Sequence, residues 1–126
     1  MCIRDRSVSL LRSGAALGAK TGAKVRVVHA VPGEESPVLR GTAMEFERFL
    51  KDSATVSIAR LQQETGTAFD VCMETGKPWR VIAAVARHHK ADLVLIGRGR
   101  LHGFAGQFRT DAYSIIRESP CPVLSV

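Results

Sequence analysis

The sequence lacks an apolar run long enough to cross a membrane, and it is poor in cysteine. A transmembrane helix needs roughly 18 consecutive apolar residues, whereas the longest apolar run here is Val81–Ala86. The three cysteines, Cys2, Cys72 and Cys121, are odd in number and lack the spacing of metal ligands. They do not indicate a disulfide framework, and they favour a reducing, cytoplasmic location.

The residue patterns of common catalytic sites are also missing. There is no Gly-x-Ser-x-Gly motif, no pair of carboxylates in a cleft-forming context and no metal-ligand set. His88 and His89 are adjacent, so they are predicted to point to different sides of a helix and not to chelate a metal together. Cys72 and Cys121 are predicted to be unreactive core thiols. The chain is therefore predicted not to be an enzyme.

The length and composition are ordinary for one globular domain. The chain has 126 residues, of which 45% are hydrophobic and 24% charged. A net charge of +6, from 18 basic and 12 acidic residues, favours anionic partners. Because the basic residues are spread along the chain, nucleic-acid binding is not expected. Local enrichment occurs only at Arg98, Arg100, His102 and Arg109.

Helical and strand patterns alternate along the chain. Ser7–Thr21 has apolar and small residues at helical spacing, and Gly22 follows as a helix stop. The β-branched residues of Lys24–Val31 predict a strand. This alternation predicts an α/β fold, in which helices cover both faces of a parallel sheet. The further predicted elements are a helix from Thr42 to about Thr65, a strand at Ala68–Met73, a helix beginning at Pro78, a strand at Ala91–Gly97, a helix at Asp111–Glu118 and a strand at Pro122–Val126.

In the last third of the chain, an apolar strand leads into a loop rich in glycine and arginine. The consecutive apolar residues Leu93–Ile96 predict a strand buried on both faces. Glycines let a loop backbone approach a ligand closely, and free N–H groups at the start of the following helix can bind an anion. Thr110 is the predicted N-cap of that helix, with Asp111 in its first turn. The pattern favours a phosphate site; the alternative is a turn shaped by glycines, with solvated arginines.

Four short segments together resemble one known family. They are the strand that ends near His29, Gly76 followed by Pro78, the stretch Asp92–Gly97, and the Pro-Cys-Pro turn within Ser119–Leu124. In this order and spacing the chain resembles the universal stress protein family, nearly end to end from residue 7. The resemblance implies a doubly wound, Rossmann-like parallel sheet with strand order 3-2-1-4-5. It also implies a homodimer formed through the C-terminal strand Pro122–Val126.

The beginning of the chain departs from the family pattern. Family members normally start with a strand that ends in an aspartate contacting adenine; that position falls near Cys2, so Asp5 does not match it. We therefore expect residues 1–6 to be a non-native leader, residues 7–126 to be the family domain, and the first, central strand to be missing. Each unpaired buried backbone group at such a gap costs about 1–3 kcal/mol. Poor stability is expected.

The glycine-rich loop is the second departure. Gly97 matches the first glycine of the ATP-binding pattern, and Thr110 matches its hydroxyl residue. Arg100, beside Gly99, stands at the second glycine position, Arg109 replaces a further glycine, and the loop is one residue shorter than the family pattern. By resemblance, the nucleotide- or phosphate-binding residues are Ala30, Ile96, Gly97, Gly99, Arg100, Arg109, Thr110 and Asp111.

The resemblance implies a cytoplasmic, non-catalytic regulatory domain in stress response. Its implied ligand is ATP or a related nucleotide with Mg²⁺, bound through an altered motif, and weak ATP hydrolysis is the most activity expected. Two alternatives stay open. One is a dimeric interaction module that binds no nucleotide, and the other is an enzyme that processes a phosphate ligand on the same scaffold.

Overall fold

A computed structural model describes residues 3–31, 44–97 and 105–126, with side chains at residues 7–31, 46–97 and 112–126. In these residues helices and strands alternate, which confirms the predicted order of elements. The elements are α1 (Ile3–Thr21), β1 (Arg26–Val31), α2 (Met44–Thr65), β2 (Asp70–Thr75), α3 (Pro78–His88), β3 (Val94–Ile96), α4 (Ala105–Glu118) and β4 (Val123–Ser125).

The strands form two parallel pairs. β1 pairs with β2, with Arg26 opposite Asp70, and β3 pairs with β4, with Ile96 opposite Ser125. Neither pair is hydrogen-bonded to the other through the described residues. In the strand order that the family resemblance implies, these would be the two outer halves of one sheet. That order, and the central strand that would join the halves, stay predictions.

The helices also form two packed pairs, α1 with α2 and α3 with α4. β1 contacts one helix of each pair, α2 and α3. Contact of a strand with helices of two separate layers is typical of α/β domains. The buried apolar side chains lie on β1, α3 and α4, and they are Val31, Val81, Ala83, Ala86 and Ile115. The core is therefore centred on α3.

Local signals placed two helix ends correctly. α1 ends at Thr21, and Gly22 follows with a φ of 72°, a left-handed conformation that glycine adopts without steric cost. Its N–H donates to the Gly18 carbonyl at 2.9 Å, which caps the last turn. Pro78 lies in the first turn of α3, where its missing N–H removes no helix hydrogen bond. Both predictions are confirmed.

Several element bounds differ from the prediction, two of them by a shift of the element's start along the chain. α1 begins at Ile3 and not at Ser7, so part of the expected leader is helical. β2 lies at Asp70–Thr75 and not at Ala68–Met73, because its register with β1 decides which residues pair. Element bounds depend on such tertiary pairing more than on local pattern.

β3 is less buried than predicted. Leu93, just before it, is 41% exposed, and Val94 to Ile96 are only partly buried. The prediction of a strand buried on both faces is wrong. In the described parts of the chain β4 is the strand beside β3, and its other edge has no strand neighbour there.

Helix α1 packs closely against the segment before β1 and against β3. A Cβ atom at Gly18 would lie 2.7 Å from Val25 Cγ2 and 3.4 Å from the Ala23 carbonyl oxygen. A Cβ atom at Gly14 would lie 3.8 Å from Val25 Cγ1 and 4.0 Å from Leu95 Cδ1, which are ordinary van der Waals distances. The close approach therefore requires glycine at position 18 but not at position 14.

The two glycines provide a matched pair of variants. Gly14→Ala is expected to raise the free energy of unfolding by up to about 1 kcal/mol, because alanine favours the helix and fits the available space. Gly18→Ala gains the same helix propensity but must displace the stiff Val25 side chain, an overpacking that costs about 1–3 kcal/mol. Urea unfolding should rank G14A above the wild type and G18A below it. Equal effects of the two substitutions would contradict this packing.

Candidate functional site

Two of the predicted phosphate-site residues, Ala30 and Ile96, lie at the carboxyl ends of β1 and β3. Ala30 is the penultimate residue of β1, opposite Glu74 of β2. Ile96 ends β3, and its carbonyl accepts a hydrogen bond from the Val126 N–H at 2.9 Å. Each strand end is therefore held by its own neighbouring strand. Ala30 and Ile96 belong to different strand pairs.

Gly97, directly after β3, does not need to be glycine for the fold. It is exposed, and it is not one of the positive-φ glycines. A Cβ atom there would lie 3.9 Å from Leu10 Cδ2, an ordinary contact that an alanine could make. Among the described residues, therefore, neither conformation nor packing requires glycine at this position.

The helix after the loop begins earlier than predicted. α4 starts at Ala105, so the prediction that Thr110 is its N-cap, with Asp111 in the first turn, is wrong. Threonine and aspartate inside a helix cost up to about 0.7 kcal/mol each relative to alanine. That cost is small beside the extra helical turn, and α4 also packs on α3. Thr110 therefore lies in the second turn.

The earlier start moves the anion-binding end of the helix. The first four N–H groups of an α-helix have no intrahelical acceptor, and here they belong to residues 105–108. The first turn contains no acidic residue that would compete with an anion. Among the predicted site residues, Arg109, Thr110 and Asp111 lie within α4, whereas Gly99 and Arg100 lie outside the described residues.

His29, next to Ala30 in β1, has a perturbed imidazole. The side chain is partly exposed, and the desolvation of its buried part lowers the pKa of His29 below its usual value. The folded protein therefore favours the neutral ring. Much of the side chain nevertheless reaches solvent.

The lowered pKa of His29 makes stability depend on pH. As the pH falls through about 6.5, the ordinary histidine pKa, the unfolded chain binds a proton that the folded chain resists, so stability is lost. His29→Gln should therefore show a smaller loss of unfolding free energy between about pH 7 and pH 5, measured by urea unfolding. The exposed His88, substituted in the same way, is the matched control. The same pH dependence in H29Q and the wild type would show that His29 contributes nothing.

The chain matches the model of the universal stress protein family over residues 4–126. The chain belongs to this family. A universal stress protein of Synechocystis sp. is 29% identical over 134 aligned residues, which cover 93% of this chain and 87% of the relative. The family resemblance of the sequence motifs is thereby confirmed.

Solved structures of universal stress proteins share the fold. The protein UspA of Lactobacillus plantarum aligns with a TM-score of 0.74 and 16% identity, over 94% of this chain and 87% of that one. A crystal structure of a universal stress protein in complex with cAMP aligns with a TM-score of 0.69 and 18% identity, over 97% and 89% of the two chains. At these identities the likeness shows the fold, which is the Rossmann-like α/β fold of the family.

None of the helices in the described ranges combines the length and apolar content that a bilayer crossing requires. Within the same ranges, no group of three or more histidine, cysteine or acidic side chains could hold a metal ion.

This universal stress protein domain also has a cavity that the sequence did not indicate. Its volume is about 630 Å³, and it is lined by residues of β2 and α3, including Cys72, Glu74, Arg80 and His89. Cys72 and Cys121 are both free and partly exposed. The prediction that they are core thiols is therefore wrong, because β2 carries Cys72 at the wall of an open cavity.

His88 and His89 lie close together at the same cavity, against the prediction. Their ring centroids are 4.8 Å apart in an edge-to-face arrangement. The predicted separation assumed helical spacing, but His89 is the C-cap of α3, with φ −92° and ψ 4°, so the spacing does not apply. Nε2 of His89 lies 3.8 Å from Sγ of Cys72. The exact end of α3 decides this contact, and the sequence carries no strong signal for it.

Proposed function

We propose that this universal stress protein domain is a non-catalytic regulator in stress response that binds a nucleotide or another phosphate ligand at the Gly97–Thr110 loop. The observation that carries the proposal is Gly97, whose bare backbone follows β3 without serving conformation or packing. The helix end that follows the loop supports it, as does the family member crystallised with cAMP.

Backbone and side chains would share the recognition of the phosphate. The N–H groups of residues 105–108 would donate to its oxygens, and the helix dipole adds about 0.3–1 kcal/mol for an anion at this end. Arg98, Arg100 and Arg109 supply positive charge, and arginine can bind a phosphate through two parallel hydrogen bonds. The ends of β1 and β3, at Ala30 and Ile96, would flank the nucleoside. Mg²⁺ would enter with the phosphates of ATP.

Calorimetric titration of Mg-ATP, ADP and cAMP into the protein tests the proposal. Arg109→Ala should weaken binding about tenfold, the effect of losing about 1.4 kcal/mol from one charge-assisted hydrogen bond. Gly97→Ala should weaken binding while leaving the melting temperature nearly unchanged, because its Cβ atom meets Leu10 at 3.9 Å.

The control is Arg117→Ala, which removes one arginine from the last turn of the same helix. It changes the net charge by the same amount as R109A but lies at the opposite end of α4. Equal weakening by R109A and R117A would indicate nonspecific charge attraction. No heat with any nucleotide at millimolar concentration would eliminate nucleotide binding and leave the interaction module as the better hypothesis.

The rival enzymatic hypothesis requires turnover. An enzyme on this scaffold would release phosphate from ATP or a phosphate ester at a rate that R109A reduces. We propose a binding role because the sequence provides no recognisable general base for such a reaction. A salt-sensitive shift of DNA mobility would instead favour a nucleic-acid-binding module.

We further propose that the domain forms a homodimer through β4. The strand pairs with β3 on one edge, Leu124 is 43% exposed, and no described strand covers its other edge. An uncovered edge strand presents backbone groups that a second copy can pair with. Sedimentation velocity of the wild type should show a dimer. A monomer at all concentrations would contradict this proposal without affecting nucleotide binding.

We also propose the family strand order, in which β1 and β3 flank a central strand. The two observed strand pairs support this order, since β1 and β3 each have one edge without a described neighbour. Because uncovered backbone groups at such edges cost free energy, we expect poor stability. Fusing a β-branched strand and a short turn before Met1 should raise the melting temperature. The same extension with two prolines in the strand should not, because proline cannot donate to a strand neighbour. A cooperative melt well above room temperature without any extension would contradict the proposal.

A further inference from the structure

The cavity beside β2 and α3 brings a thiol and an imidazole together. Cys72 lies opposite Val28 in the β1–β2 pair, and its Sγ atom is 3.8 Å from Nε2 of His89. His89 is held by its backbone N–H, which donates to the Val85 carbonyl at 3.0 Å. The thiol–imidazole contact is therefore set by a strand and by a helix end.

The surroundings keep the imidazole able to accept a proton. Desolvation lowers the pKa of His89, and the positive charges of Arg26, His88 and Lys24 lower it further. Lys24 and Arg26 are themselves placed by Asp70, whose carboxylate lies 3.4 and 3.5 Å from their side-chain nitrogens. At neutral pH the His89 ring is therefore an unprotonated neighbour of the Cys72 thiol.

The shape of the cavity indicates which reagent it admits. Its volume of about 630 Å³ lies within the about 300–1,000 Å³ typical of small-molecule sites. Val81, Ala84 and Val85 provide an apolar wall, while Arg80 and Glu74 line it as well. A small molecule with an apolar body and one polar group fits this combination.

We propose that Cys72 and His89 form a modification site at which the Cys72 thiol adds to small α,β-unsaturated carbonyl compounds with an apolar body. His89 Nε2 accepts the thiol proton, and the sulfur forms a bond to the β-carbon of the reagent. The π electrons of the C=C bond move to the carbonyl to give an enolate, whose α-carbon then takes the proton from His89. Nothing is oxidised or reduced, and no group leaves.

Cys121 provides an internal comparison. It is also free and partly exposed, but its Sγ atom lies 3.7 Å from the Ser119 hydroxyl. A hydroxyl is too weak a base to take the thiol proton at neutral pH. The two cysteines are similarly exposed. A faster reaction at Cys72 than at Cys121 would therefore be due to the imidazole and the cavity.

The experiment measures alkylation of each thiol in the Cys2→Ser protein with N-ethylmaleimide, followed by peptide mass spectrometry. We expect Cys72 to react at least about tenfold faster than Cys121. A well-placed base supplies about a hundredfold, and we expect less than that here because the thiol–imidazole contact is long. His89→Gln should remove most of this advantage and leave the Cys121 rate unchanged. His88→Gln, which also removes one histidine, should change the Cys72 rate by less than about twofold, since it leaves the base in place.

Two results would overturn the proposal. One is an equal reaction rate of Cys72 and Cys121 in the Cys2→Ser protein with His89 intact. This comparison does not depend on whether H89Q folds. The other is an unchanged Cys72 rate in a folded H89Q protein. The pH profile of the Cys72 rate shows whether His89 acts as a base or only supports the structure. If His89 is a base, its removal shifts the rise of the rate to higher pH; if it is only a support, the rise stays at the same pH.

Discussion

The close packing of α1 links the two strand pairs. Through Gly18 and Gly14 the helix lies against Val25, just before β1, and it reaches Leu95 of β3 at the same time. Because the pairs are not hydrogen-bonded to each other in the described parts of the chain, side-chain contacts must carry what a continuous sheet would otherwise provide. Dispersion contacts are individually weak and weakly directional. The relative position of the β1 and β3 ends, where the phosphate site is proposed, therefore depends on helix packing.

The alternation of helices and strands could be predicted because it rests on local periodicity. Gly22 and Pro78 act through their own backbone geometry, so their roles as helix stop and helix start also follow from sequence. The burial of β3 could not be predicted in this way. A run of apolar residues indicates a tendency to be buried, but it does not show which elements cover the strand. The start of α4 depends on packing against α3, which outweighs the local preference of Thr110 for a cap.

The sequence suggests a location for the candidate site, which stays a prediction, but it does not indicate which helix N–H groups follow the loop. Strand ends and glycines indicated the loop after β3, whereas the helix end that faces it starts at residue 105 and not at the predicted cap. Glycines with opposite roles also look alike in sequence. Gly18 is required by a 2.7 Å approach and Gly97 is not required by packing, a difference that appears only with the positions of Val25 and Leu10. The Cys72–His89 contact joins residues 17 apart and depends on where α3 ends.

The two candidate sites are separated along β1, and their chemistry differs accordingly. Arg26, whose charge acts on His89, begins the strand, and Ala30 lies near its carboxyl end. Cys72 itself lies opposite Val28, two residues before Ala30, which at about 3.3 Å per residue is about 7 Å along the strand. Helix N-terminal N–H groups favour an anion at the carboxyl end, whereas the Cys72 thiol lies 3.8 Å from the imidazole of His89. The cavity that holds Cys72 also reaches Glu74, the residue opposite Ala30, so an adduct on Cys72 would extend toward the carboxyl end of β1.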